Sequence, residues 1–288
     1  MFKGLKFCAV ALIIIVIVVF LAVKTVFKAD NQLANFWTNL FAEEPEVAAP
    51  ALREEKVVRV IEGWRNADIA NKIIELNLAN QEQFTAAVNV DYSNKFSFLK
   101  DKPKSTDLEG FLYPDTYRVF ASSTVDEIIV KMLSNFDKKL TDKMRADIAA
   151  QGRTINEVIT MASLIEKEAP ISYQTKNIDD ARIVSGIFWN RIKAGQALQS
   201  CATLAYILGV NKPQYSEADT KIESPYNTYQ NPGLPPGPIA NPGILAIEAA
   251  IYPITTNYNY FLTPTGSKEL IFSRSYEEHL QNKNKYLN

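Results

Sequence analysis

The spacing of apolar and polar positions changes several times along the chain, and each spacing predicts a different element. Residues 7–23 carry no charge and are almost all Ile, Val, Leu, Ala or Phe. A bilayer core takes about 20 apolar residues. Val26 and Phe27 extend the run, while Lys3 and Lys6 before it and Lys24 and Lys28 after it can snorkel to the headgroups. The pattern predicts one membrane-spanning helix over residues 7–27. The rival reading is a cleaved signal peptide, but no small-residue cleavage site follows the run. Lysines on both sides leave the orientation open. Asp30 to Glu55 reads as a stalk. Its patch at Phe36, Trp37, Leu40 and Phe41 either sits at the membrane interface or continues a juxtamembrane helix, and Ala42 to Glu55 reads as an extended linker.

Order returns at Val57. Val57 to Ile61 predicts a short strand and Glu62-Gly63 a turn. Asn66 is placed to cap a helix carrying Ile69, Ile73, Ile74 and Leu76, and a second helix follows near Gln81. DLEGFLYPDTYRVF is aromatic-rich and broken by Pro114, which suits strand or loop at the rim of a core. Thr124 to Leu140 is an amphipathic helix. In RTINEVITMASLIEKEAP, Thr154 and Glu157 make a capping box. Ile155, Val158, Ile159, Ala162 and Ile165 recur at helical spacing, and Pro170 ends the helix. Asp179 to Ala194 predicts a further helix closing at Gly195, and Gln196 to Gly209 a turn and short helix. The fold class is α+β. The stretch SPYNTYQNPGLPPGPIANPG, Ser224 to Gly243, can be neither helix nor central strand. It is either a linker or a rigid wall around a site, and the apolar run Ile244 to Ile251 follows it.

Composition narrows the function. Apolar residues make up 47% and charged residues 22% of the chain, so it can fold into a globular body. A net charge of −1 leaves no basic footprint, and nucleic acid is not expected as a partner. The single histidine, His279, and two cysteines, Cys8 and Cys201, argue against a His/Cys zinc site and against a disulfide. No metal or cofactor is expected, and His279 reads as a surface residue without a role. The candidate chemistry is Glu166 and Glu168, in the last turn of the central helix, where the helix dipole disfavours negative charge. Either both are solvated and flank Lys167, or one enters a cleft with its pKa raised. Projection at about 100° per residue places Glu166 nearer the apolar face and Glu168 at its edge. Periodicity does not say which does chemistry. The two point about 200° apart, so they cannot readily flank one bond as a hydrolase pair would.

Four blocks in order, LEGFLYPDTY, ITMASLIEKEA, GIFWNRIKAGQALQS with LAYILG, and SPYNTYQNPGLPPGPIANPG with FSRSYEEH, extend the argument. Over Val57 to His279 the chain resembles the endolytic murein transglycosylases, the YceG-like or MltG family. That resemblance implies residues 1–29 as cytoplasmic tip and transmembrane anchor, 30–55 as stalk, 56–104 as a shortened LysM-like subdomain, and 105–288 as a mixed helical and β catalytic domain. It implies a single-pass protein of the cytoplasmic membrane with its body on the extracytoplasmic side. The activity implied is cleavage of the β-1,4 bond between N-acetylmuramic acid and N-acetylglucosamine in peptidoglycan, without water, leaving 1,6-anhydromuramic ends.

The family's motif puts the catalytic acid and base at Glu168, with Glu166 a buried acid behind it. Tyr226 and Asn227 would assist catalysis. Gln199 would meet sugar or the glutamate, Thr228 and Tyr229 would orient the acid, and Glu109 and Tyr113 are further contact candidates. Peptidoglycan synthases are implied partners. Cys201-Ala202 departs from the Asp-Pro or Asp-Ala common in the family, and the region before the catalytic part is short. The alternative is a non-catalytic murein-binding or scaffold protein of the wall-synthesis machinery.

Overall fold

The structure is a computed structural model that describes residues 3–40, 54–212, 214–264, 266–267 and 269–287. Side chains of residues 3–13, 29–31 and 39–40 are outside that description. Residues 1–52 and 53–288 form separate compact units.

The first unit contains helix α1, Lys3–Leu40. It continues through Asp30, so residues 30–40 of the expected stalk are helical, and Phe36 meets Trp37 edge to face at 5.7 Å. Among the described residues no helix is long and apolar enough to cross a membrane. The expected span begins at residue 7, where side chains are not described, and the expected linker at 42–53 also lies outside the described residues.

The second unit starts with strand β1, Glu55–Arg59. Helices α2, Asn66–Glu75, and α3, Gln81–Val88, follow. The α2 cap corrects the sequence expectation. Arg65 occupies the N-cap position and its amide donates to the Asp68 carboxylate at 2.8 Å. Asn66 is the first helical residue, and its own N–H is taken by Glu109. Strand β2, Thr116–Phe120, pairs antiparallel with β1, Val57 opposite Arg118. Helix α4, Val125–Lys139, begins at a Thr124–Glu127 capping box. Helix α5, Asp142–Ala150, was not anticipated and starts at Thr141, whose hydroxyl accepts from Met144 N–H.

Helix α6, Ile155–Glu168, begins at the expected Thr154–Glu157 capping box. Helix α7, Asp179–Lys193, ends before Gly195, which takes φ +67°. Helix α8, Cys201–Leu208, closes on Gly209 in the left-handed conformation. Helix α9 is Ile244–Ile251. A hairpin of β3, Tyr260–Leu262, and β4, Ile271–Ser273, and helix α10, Tyr276–Tyr286, complete the unit, and these too were not anticipated.

Every residue of α6 from Val158 to Ile165 is buried, so this helix is the core's axis and not a surface helix with one apolar stripe. α5, α7, α8 and α9 pack on it. Beside it Phe98, Phe111 and Phe136 form an aromatic cluster with centroids 4.6 to 6.1 Å apart.

The proline-rich segment is tied to this body by Asn241, which is fully buried. The two N–H groups of its amide are shared among Trp64 O, Asn66 Oδ1 and Glu109 Oε1, at 3.0 to 3.2 Å, while its carbonyl oxygen accepts from Leu112 N–H. The backbone of Asn241 also pairs with Gly63 and Trp64. One residue therefore joins three segments distant in sequence, and a buried amide satisfied in this way is costly to remove.

Gly186, inside α7, offers a test of packing against propensity. Alanine is favoured over glycine in a helix by about 1 kcal/mol. A Cβ here would lie 2.2 Å from the Ile254 carbonyl oxygen, which is backbone held by the Ile254 N–H to Arg182 O bond. Overpacking of this kind costs about 1–3 kcal/mol. We expect Gly186→Ala to lower the urea midpoint and the melting temperature, and a more stable variant would refute the contact.

Candidate active site

The last turn of α6 sends two carboxylates in different directions. Glu168 Oε1 accepts from Ser200 Oγ–H at 2.5 Å and from the Ala202 N–H at 3.0 Å. Ala202 is in the first turn of α8, and the N-cap residue, Ser200, makes no side-chain bond to its own helix. A carboxylate from another helix thus caps α8, where the helix dipole favours negative charge. Glu166 Oε2 accepts from Tyr173 Oη–H at 2.6 Å and from Gly243 N–H at 3.0 Å. Gly243 is the N-cap of α9, so the second acid also meets a helix N-terminus. A side chain at Gly243 would strike Tyr173 Oη at 2.3 Å and Glu62 Cγ at 2.6 Å, which explains the glycine that ends the proline-rich segment. Lys167, between them, donates to Gly63 O at 3.3 Å.

The two acids differ in their surroundings. Burial pushes Glu166 up to about 7, against the bonds from Tyr173 and Gly243, with the neighbouring Glu62 charge acting in the same direction as burial. Glu168 lines a cleft of 720 Å³, together with Arg65, Tyr206, Tyr215, Tyr229 and Lys283. Glu166 does not line it. Among the described residues Glu168 is the cleft's only carboxylate, and its Oε2 carries no hydrogen bond. A depression of 830 Å³ beside Glu55, Arg118 and Glu127 includes neither Glu166 nor Glu168.

Ser200 is aimed by its neighbours. Its N–H donates to Thr228 Oγ1 at 3.0 Å, and the Thr203 hydroxyl donates to Ser200 O at 2.7 Å. The Thr203 and Thr228 hydroxyl oxygens are 3.0 Å apart. Each hydroxyl has one proton, and that of Thr203 is committed to Ser200, so Thr228 is the donor between them. Gln199 takes φ +52°, a left-handed conformation uncommon outside glycine, and its N–H is held by Thr228 O at 3.0 Å. Its side chain is exposed and does not line the cleft. Its observed contribution is the backbone bend that turns Ser200 toward Glu168.

The remaining candidates divide between cleft and frame. Tyr229 lines the cleft with its hydroxyl 3.1 Å from Cys201 Sγ, and burial raises both groups' pKa values. Tyr226 packs against Tyr206 in a tilted pair, centroids 4.9 Å apart, and so backs the cleft wall. Asn227 is fully buried, with its amide on Thr220 O and Ile222 O and its carbonyl oxygen on Tyr229 N–H. It braces the turn that presents Tyr229. Thr228 is buried against Ser200.

Glu109 lies in the Asn66–Asn241 knot, where burial pushes it up to about 8. Tyr113 packs on Phe136 at the aromatic cluster. His279, expected at the surface, stacks on Tyr260 at 5.2 Å, and burial lowers its pKa. Ser200 and Ala202 were missed by sequence reasoning. The serine of the LQS element was a visible signal, whereas a backbone donor has none.

A profile of the YceG-like family matches residues 27–285. The chain belongs to this family. A Bacillus subtilis member named endolytic murein transglycosylase is 38% identical over 180 residues, which is 62% of this chain and 48% of that protein. One of the same name from Streptococcus pneumoniae is 33% identical over 195 residues, 66% of this chain and 34% of that protein. The chain therefore spans half or less of the length of these relatives. A solved yceG-like protein from Listeria monocytogenes has a TM-score of 0.64 at 32% identity, covering 79% of this chain and 76% of that one. The YceG-like assignment rests on a stretch that includes α6, α8 and the proline-rich segment.

The enclosed acids of this YceG-like chain predict how its stability varies with pH. Glu166 keeps its proton to about 7 when folded and has an ordinary value of 4.5, so across that window the folded state binds more protons. Its stabilising contribution is complete below the ordinary value and is lost as pH rises through the folded one, a difference of roughly 3 kcal/mol. Glu109, pushed up to about 8, acts in the same sense. Urea unfolding is expected to show stability falling from about pH 5 to about pH 8, with Glu166→Gln flattening part of the slope. Equal slopes in the two proteins would count against the enclosed carboxyl.

Proposed function

We propose that the chain is an endolytic murein lytic transglycosylase that uses Glu168 as its single acid and base. The observation that carries this reading is the cleft with one carboxylate, held through one oxygen and open at the other. Hydrolysis by inversion or retention uses two carboxyl groups about a bond. Here Glu166 is committed to Tyr173 and Gly243, so a one-carboxylate route fits better than a two-carboxylate hydrolase.

In that route Glu168 Oε2–H protonates the glycosidic oxygen of the muramic acid to glucosamine bond, and the C1–O bond breaks. The sugar's own C6 oxygen attacks C1, and Oε2 takes the C6 hydroxyl proton. Glu168 returns to its starting state, one strand ends in a free hydroxyl, and the other ends in a 1,6-anhydro ring. Ser200 and Ala202 hold the other carboxyl oxygen throughout, so the reacting one stays in place. Tyr206, Tyr215 and Tyr229 supply aromatic and hydroxyl surface for sugar rings.

We also infer that the uncharged run within α1 anchors the protein in the cytoplasmic membrane through residues 7–27. The body then works on the extracytoplasmic side, on nascent strands and beside peptidoglycan synthases. The module at residues 56–104 is read as a reduced LysM-like element. A non-catalytic murein-binding role is the competing reading, favoured only by Cys201 at the family's usual aspartate position.

Digests of purified murein analysed by mass decide between them. The wild type should release fragments one water lighter than hydrolytic products, and Glu168→Gln should reduce their rate by about a hundred- to ten-thousandfold. Undiminished anhydro product from that variant would remove Glu168 from the mechanism. Ser200→Ala loses one bond to the reacting carboxyl and should lower kcat about tenfold or more with KM little changed. A change confined to KM would instead place Ser200 in substrate binding.

A further inference from the structure

Two cations reach the Glu168 cleft from opposite ends of the second unit's sequence. Arg65 is the N-cap residue of α2, and Lys283 belongs to α10. Among the described residues neither forms an ion pair. The other cations of the cleft are occupied, Lys212 by Asp219 at 2.8 Å and Lys167 by Gly63 O. Glu109 lies within the field of Arg65, but its carboxylate is already bonded to Asn66 and Asn241.

Arg65 is also held in an unusual way. Its guanidinium lies over the Tyr206 ring at 4.3 Å, and its Nε is buried with no hydrogen-bond partner. Tyr206 in turn packs against Tyr226, the rings tilted by 38°, which supports that bed. A buried Nε–H with no acceptor is costly, and the cation–π contact of the guanidinium offsets only part of the cost. An anion entering the cleft would offset the rest. A guanidinium held over an aromatic ring keeps a planar fork of donors, which matches a carboxylate better than a neutral sugar hydroxyl.

Murein is a polymer of N-acetylated sugars whose negative charges are carboxylates, either on the lactyl ether of muramic acid or on peptides attached through it. We propose that Arg65 and Lys283 form a subsite for a carboxylate of this lactyl-peptide substituent, next to the bond presented to Glu168. The inference rests on the murein activity proposed above and adds a preference for charged over neutral glycan.

Binding by the full chain carrying Glu168→Gln tests it, with three strand preparations at low salt. One bears peptides, one is stripped so that lactyl carboxylates are free, and one is stripped with those carboxylates converted to neutral methyl amides. A carboxylate-bearing form should bind about tenfold more tightly than the neutral form, and adding Arg65→Gln or Lys283→Gln should abolish most of that ratio. Tight binding of stripped strands alone would assign the lactyl carboxylate, tight binding of peptide-bearing strands alone would assign a peptide carboxylate, and equal affinity for both would show that the subsite accepts either.

Neutral strands binding as tightly as charged ones, or a ratio unchanged in both variants, would overturn the subsite. Lys283 is exposed on α10, so its variant is informative even if the Arg65 variant folds poorly. Release of anhydro ends by the wild type is scored separately. Product formed without any charge preference sinks the subsite alone, and absence of anhydro ends sinks the murein activity itself.

Discussion

Two carboxylates in the last turn of one helix meet the N-termini of two others, and the arrangement of the second unit follows from that. At the C-terminus of α6 a negative charge on either acid opposes the helix dipole, at a cost of about 0.3–1 kcal/mol, which Glu166 escapes by keeping its proton to about 7. Glu168 takes the Ala202 N–H at the start of α8, and Glu166 takes the Gly243 N–H at the start of α9. A hydrogen bond contributes about 0.5–1.5 kcal/mol to a neutral carboxyl and about 1.5–3 kcal/mol to a charged one, so the bonds offset the dipole in either state. Because α6 is buried from Val158 to Ile165, it cannot rotate to relieve the acids. The positions of α8 and α9 are therefore bound to the chemistry at its end.

The same device serves two purposes because enclosure differs. Glu166 is shut in behind Tyr173 and Gly243 and welds α9 to α6. Glu168 gives one oxygen to the frame and keeps the other in the cleft. The proline-rich segment holds both arrangements in place. Near its start Thr228 positions Ser200, near its end Asn241 joins residues 63–66 to 109–112, and its last residue bonds Glu166. Prolines limit the freedom of the unfolded chain, so the entropy lost in ordering this irregular segment is reduced. It is a wall rather than a linker.

Helices with regular apolar spacing were legible from the sequence, and those without it were not. α4 and α6 carry capping boxes and regular apolar spacing, and both begin where these indicate. α5 buries only Met144 and Ile148, and α10 buries no residue fully, so neither has the pattern that periodicity detects. The β3–β4 strands span three residues each, too short for alternation to register. At α2 a local rule was overridden by a distant partner. Asn66 suits an N-cap, but its N–H is needed by Glu109, and the cap moves to Arg65.

By itself the sequence determined the α+β class, the central helix with its two terminal acids, and the stiffness of the segment after Ser224. These follow from spacing and backbone restriction, which act over a few residues. Helical projection also separated Glu166 from Glu168, since positions two apart on a helix face different ways. Only the tertiary structure decided what each acid meets. Ser200, Ala202 and Arg65 reach the Glu168 cleft from segments far apart in the chain, and their partners are backbone amides, ring faces and buried hydroxyls. Such partners are chosen by how helix ends pack together, and no local pattern of residue types records that.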